Sequence, residues 1–186
     1  MVAVRVVLTY ADYVALPNDG KRYEIHDGEL SVTPAPGRKH QRVVLRLGAA
    51  LDAYVTARHL GEVDIAPFDV VLGDPTIVQP DIIFVAPDRS ARFSDRGLDG
   101  APTLAIEVLS PSTVHIDRHT KFQLYARHGV PFYWIVDYEA RAIEVYRLTG
   151  DTYGTPERFG GEDLIDPPPF PGLWLDPAML WPAEEL

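Results

Sequence analysis

The stretch LAIEVL, residues 104–109, is apolar at every position but one, and that one is Glu107. A strand that reads as an unbroken apolar run is covered on both faces, so the chain must build a sheet packed between layers. Side chains alternate along such a strand. Ala105, Glu107 and Leu109 therefore share one face, and Leu104, Ile106 and Val108 the other. Glu107 points into a covering layer. A lone buried carboxylate is costly or takes up a proton, so this one requires an Arg or Lys, a bound metal or a route to solvent at the strand end.

A second carboxylate raises the same difficulty. In IVQPDIIFV, residues 77–85, Pro80-Asp81 leads directly into apolar residues. Taken alone, Asp81 is a turn residue at a strand start. Two carboxylates on neighbouring strands repel unless a divalent cation lies between them, and hard cations such as magnesium favour carboxylate, carbonyl and water oxygens. A metal explains both acids at once. Beyond Glu107, Ser110-Pro111-Ser112-Thr113 opens a helix carrying Asp117 and Lys121 four residues apart, the spacing of an ordinary ion pair. The chain has fourteen Arg and three Lys, so lysine is the less expected cation, and it is the one able to share a proton.

The rest of the chain supplies a frame for these residues. RYEIHDGELSVT, residues 22–33, is two β-like runs around Asp27-Gly28, a hairpin turn dipeptide. From residue 38 to about 59, Val43, Val44, Leu47, Leu51, Tyr54 and Val55 recur at helical spacing. Strands are expected at 62–72, 77–86 and 102–109, then a helix at 114–128 ended by Gly129 and Pro131. FYWIVD and AIEVYRL follow as two further strands, with the Trp and Tyr of the first packing the core. This order predicts an α/β fold, a mixed sheet flanked by helices with an N-terminal hairpin. At 186 residues and 46% hydrophobic, one domain is expected over 1–186. Its parts are an N-terminal helix and hairpin (1–37), a core (38–148) and an acidic, proline-rich arm (149–186). Leu173, Trp174, Leu175, Leu180 and Trp181 require that arm to dock on the body or across a homodimer.

The net charge of −10 argues against nucleic acid, but residues 149–186 hold eight acids against Arg158 alone. That arm supplies −7, leaving −3 for the body. No acid lies between Glu29 and Asp52, and Arg38, Lys39, Arg42 and Arg46 fall in that gap. One local positive surface is therefore compatible with phosphate, as is a merely solvated helix face. There is no cysteine, no signal-like start and no apolar stretch approaching the ~18 residues of a membrane span, which points to the cytoplasm. His115 and His119 have zinc-compatible spacing but nothing to complete the site, so they are read as solvent-facing. No GxSxG, P-loop or GxGxxG occurs, leaving acyl transfer, P-loop hydrolysis and Rossmann redox chemistry without support.

Pro80-Asp81 followed by Glu107 in a strand resembles the PD-(D/E)XK nuclease superfamily, the restriction-endonuclease-like fold. The lysine expected two residues after the acid is replaced by Leu109. EVLSPST, then Asp117, Lys121, Tyr125, GVPFYWIVD and FPGLWL, is similar to the Uma family within that superfamily, where the lysine stands on the following helix. The resemblance implies a metal-dependent endonuclease hydrolysing phosphodiester bonds of DNA. Asp81, Glu107, Lys121 and Glu24 would be catalytic, and Asp81, Glu107 and the Val108 carbonyl would hold magnesium or manganese. Arg38, Lys39, His40 and Arg42 would contact nucleic acid, with a homodimer or higher homo-oligomer as the assembly. A binding or assembly module that uses the same fold without cleavage is the alternative.

Overall fold

The computed structural model describes residues 6–161 and 165–182; of the arm's acids, Glu162, Asp163, Glu184 and Glu185 lie outside them. A short helix α1 (Tyr10–Val14), with Thr9 and Asp12 forming a reciprocal cap, precedes the hairpin β1 (Arg22–His26) and β2 (Glu29–Thr33). Asp27 and Gly28 both have positive φ there, as the two-residue turn requires. The long helix α2 (Arg38–Arg58) buries Val43, Val44, Leu47, Leu51, Tyr54 and Val55, the six residues whose spacing predicts it. Each such aliphatic side chain contributes ~1.5–3 kcal/mol on full burial.

The expected strand at 62–72 divides into β3 (Glu62–Ile65) and β4 (Asp69–Gly73), separated by Pro67. That at 77–86 divides into β5 (Thr76–Val78) and β6 (Ile82–Val85) around Gln79-Pro80-Asp81. Proline offers no N–H to a ladder, so each break lets the chain change sheets. β7 (Arg92–Ser94), β8 (Gly97–Asp99) and β9 (Leu104–Val108) follow. A π-helical turn (Ile116–Lys121) then runs into α3 (Phe122–Arg127) where a single helix is expected. β10 (Phe132–Asp137), β11 (Ala142–Thr149), β12 (Thr152–Tyr153), β13 (Glu157–Gly160) and α4 (Pro177–Leu180) complete the chain.

The strands form two mixed sheets rather than one. The smaller has the order β2-β1-β5-β4-β8-β7 and the larger β12-β11-β10-β9-β6-β3, with β13 also on β11. β9 lies at the centre of the larger sheet, parallel to β10 and antiparallel to β6. Its alternation separates two cores. Leu104, Ile106 and Val108 pack under α2 and the arm, while Ala105 and Leu109 pack with α3 and residues of the smaller sheet. Tyr133 and Trp134 are fully buried.

The arm docks on the body. Ile165, Phe170, Leu173, Leu175, Leu180 and Trp181 join the α2 core, whereas Trp174 and Met179 remain exposed. Three hydrogen bonds tie its backbone down: Trp134 donates to the Pro168 carbonyl, Tyr54 to that of Pro171 and Arg46 to that of Trp181. Arg46 therefore leaves the basic run to clamp the arm. Among the described residues no helix is long and apolar enough to cross a membrane.

Candidate active site

The break at Gln79-Pro80-Asp81 sets the position of the site, because Asp81 sits where the chain passes from the smaller sheet to the larger. In the register that pairs Ile82 with Ile106 and Ile83 with Ala105, the next step outward brings Asp81 opposite Glu107. Glu24 enters from β1 on the smaller sheet, and the π-turn directs Asp117 and Lys121 into the same crevice. All five are at most 2% exposed. They line a cavity of about 20 Å³ with Arg22, His40 and the hydroxyl residues Ser110 and Thr113, room for about one water or ion.

Lys121 is the hub. Its Nζ lies 2.9 Å from Glu24 Oε1, 2.9 Å from Glu107 Oε1 and 3.9 Å from Asp117 Oδ1. The Asp117 pair that spacing alone predicts is thus the loosest of the three. Glu24 also accepts from the Gln79 backbone N–H at 2.6 Å and lies 3.2 Å from His26 Nε2, and Glu107 accepts from the Tyr125 hydroxyl at 2.7 Å. Asp81 is held by Arg22 through both guanidinium nitrogens at 3.1 Å, by His40 Nε2 at 3.0 Å and by the Val108 amide at 2.9 Å. The Val108 backbone thus borders the site beside Asp81.

Burial would raise every one of these carboxyls, and the donors around each decide the outcome. At Glu24, Lys121, His26 and the Gln79 amide overcome burial and hold the carboxyl at about 2. Asp81 is likewise lowered against burial by His40, Arg22 and Lys121. Glu107 goes the other way: burial, reinforced by Asp117, Asp81 and Glu24, outweighs Lys121 and pushes it well above the usual range. Burial raises Asp117 to about 6. Burial would strip the Lys121 proton, yet Glu107, Glu24 and Asp117 keep the ammonium charged.

Four carboxylates against Lys121 and Arg22 leave the cavity at −2 when all are ionised, the complement of one divalent cation. Among the described residues no three His, Cys, Asp or Glu side chains stand assembled as a metal cluster; Lys121, Arg22, His40 and Tyr125 engage the carboxylates. The donor set suits a hard cation in chemistry and in charge, and a bound ion would take over part of the neutralisation that those partners provide.

Glu24, Asp81, Glu107 and Lys121, expected from the sequence, therefore converge. The basic residues divide: Arg38 and Arg42 are exposed on α2, Lys39 lies 3.6 Å from Glu139, and His40 turns inward onto Asp81. His115 and His119 are exposed, their rings 4.6 Å apart. Arg22, His26 and Gln79 are site contacts that motif reading misses, while Tyr125, a motif position given no role, supplies its hydroxyl to Glu107. The signal for the first two is the alternation of Arg22, Glu24 and His26 in RYEIH, three polar side chains on one strand face.

A crevice between two mixed sheets, with sheet-borne carboxylates closing on one lysine, defines a restriction-endonuclease-like, nuclease-type protein. The chain belongs to the Uma2 family, described as "Putative restriction endonuclease", whose profile matches residues 10–178. The crystal structure of "a putative nuclease belonging to DUF820" from Anabaena variabilis superposes with a TM-score of 0.76 at 22% identity. That alignment covers 94% of this chain and 97% of the other, and it establishes the shared fold. No curated protein matches the chain. Restriction-endonuclease-like proteins generally use divalent metals.

Proposed function

We propose that this protein is a metal-dependent endonuclease that hydrolyses phosphodiester bonds of DNA. The observation that carries the reading is the buried set of Glu24, Asp81, Glu107 and Asp117 around Lys121. Asp81, Glu107 and the Val108 carbonyl are the proposed ligands of magnesium or manganese. Such an ion, when bound, supplies Lewis acidity toward a phosphate oxygen and acidifies a water. Lys121 orients the attacking water and stabilises the charge that develops on phosphorus. Glu24 fixes the Lys121 ammonium, Tyr125 orients Glu107, and Arg22 and His40 orient Asp81. Arg38, Lys39 and Arg42 at the start of α2 contact the DNA backbone. Leu30 and Val32, exposed on the edge strand β2, support a homodimer or higher homo-oligomer.

The test uses metal and fold stability beside cleavage. Millimolar manganese should raise the wild-type melting temperature, since a ligand bound only by the folded state contributes RT ln(1 + [L]/Kd), about 2.7 kcal/mol at a hundredfold excess over Kd. Glu107→Gln keeps the shape, removes the charge and should abolish both that rise and any DNA cleavage. Identical manganese responses in the two proteins would remove the metal site. One observation favours a second reading, a non-catalytic binding or assembly module: Arg22 and Lys121 already engage the carboxylates, and a cavity of about 20 Å³ has no room for a phosphodiester without movement. Binding of DNA without cleavage by any divalent ion would favour that module.

A further inference from the structure

A larger concavity lies on the opposite face of the smaller sheet, between α1 and β1. It has a volume of about 430 Å³, within the range of small-ligand sites, whereas the catalytic cavity holds about one water. The strand β1 separates the two: Arg22 and Glu24 face the cavity, while Tyr23 faces the groove. Gln79 joins them. Its backbone N–H donates to Glu24 at 2.6 Å, and its side-chain amide lines the groove, donating to Asp69 Oδ1 at 2.8 Å and to the Tyr13 hydroxyl at 3.1 Å.

Three half-buried phenol rings, Tyr10, Tyr13 and Tyr23, line this groove together with Val14, Leu16 and Pro17. Tyr13 is fixed by a 2.7 Å hydrogen bond to Asp69; burial and that carboxylate push its phenol up, so it stays a neutral donor. Tyr10 has the exposed Arg96 guanidinium 5.4 Å from its ring centroid, and the exposed Lys21 ammonium stands at the same groove, 2.7 Å from Asp19. Ring faces for stacking, the Arg96 guanidinium beside them and a carboxylate–amide pair beneath match the three parts of a nucleotide: base, phosphate and polar base edge. An extended proline-rich peptide would also use aromatic ridges, but it has no anion for Arg96.

We propose that this groove is a nucleotide-binding subsite that stacks a base of single-stranded nucleic acid. The inference rests on the nuclease reading in taking the two sites to serve one strand, which would pass around the end of β1 from groove to cavity.

The experiment titrates a short single-stranded deoxyoligonucleotide into the full chain without divalent ions, following tyrosine fluorescence and backbone amide shifts. Binding should perturb Tyr10, Tyr23 and Arg96. Loss of one stacking contact costs about 1–3 kcal/mol per base, so Tyr10→Ala with Tyr23→Ala should weaken binding about 10-fold or more, whereas the two Phe variants should bind nearly as wild type. Arg96→Ala should lower the salt dependence by about one counterion. Wild-type affinity in the double alanine variant, or saturation by a proline-rich peptide and not by the oligonucleotide, overturns the proposal. Should that variant fail to fold, wild-type shift changes decide, and their absence from the groove counts against it. Glu107→Gln separates the two readings by losing cleavage while keeping groove affinity. Binding at the groove with no cleavage under any metal would sink the nuclease reading alone, and cleavage with an indifferent groove would sink only the subsite.

Discussion

Replacing Asp117 by Asn should flatten part of the protein's stability-versus-pH curve, with a size and sign that follow from the site. The Asp117 carboxyl, 2% exposed, is pushed by burial from an ordinary 3.8 to about 6. A group that holds its proton more tightly in the folded state favours folding fully below its unfolded value, and that contribution is lost as pH rises through the folded one. The window is therefore pH 4 to 6, with stability falling upward. A rise of about 2 pH units at 1.36 kcal/mol each gives ~3 kcal/mol, a large share of the 5–15 kcal/mol typical of a domain. Glu24 and Asp81 are lowered instead, so their stabilisation is lost in the opposite direction, as pH falls from about 4.5 and 3.8 toward the folded values, and is common to both proteins. Urea denaturation of both proteins without metal, between pH 4 and 7, should show wild type losing ~3 kcal/mol relative to Asp117→Asn. Removing the Asp117 charge also eases Glu107, which Asp117 helps to raise, so both effects have one sign. Parallel curves would refute the charge balance assigned to the cavity.

Two further outcomes are expected. Lys121→Arg should retain the fold yet lower cleavage by ~10²-fold or more, the scale for loss of a positioned electrostatic or proton-transfer group; full activity in a DNA-nicking assay would take Lys121 off the catalytic list. Phe170 is 1% exposed, with its ring 5.0 Å from Phe84, 5.7 Å from Tyr54 and 5.8 Å from Trp134. Phe170→Ala should cost about 3–5 kcal/mol in urea unfolding, and a loss below about 1 kcal/mol would show that the arm only rests on the body.

The site was legible where one element carries the signal. An acid inside LAIEVL declares itself because period-2 alternation leaves Glu107 nowhere to point but inward, and its neighbours Ala105 and Leu109 do fall in the core on that face. The long helix and the hairpin were readable for the same local reason. What stayed hidden required two segments to meet. Nothing near Arg22 says that it will grip Asp81 from 59 residues away, and nothing near Gln79 says that its amide will hold Glu24. The split into two sheets was hidden as well, although Pro67 and Pro80 mark the two places where an expected single strand divides between them.

The architecture explains why no lysine stands at position 109. Leu109 shares the Glu107 face, but it is 7% exposed and packs in the apolar core beside α3. A lysine there would put an ammonium among apolar residues at a cost of several kcal/mol unless it found a carboxylate. The π-turn offers another route to the same charge. It brings Asp117 and Lys121 to the crevice from the layer above the sheet, and the ammonium arrives between Glu24 and Glu107, one carboxylate from each sheet. Lys121 thus bridges the sheets as well as facing the cavity, so its removal should loosen Glu24 and Glu107 together. Lys121→Met should couple strongly with Glu24→Gln in a double-mutant cycle of stability, because both changes remove the same buried Lys121–Glu24 contact, which each single variant loses and the double variant loses only once. An additive cycle would mean that the two sheets are held together without this ion triad, and that Lys121 is retained for chemistry alone.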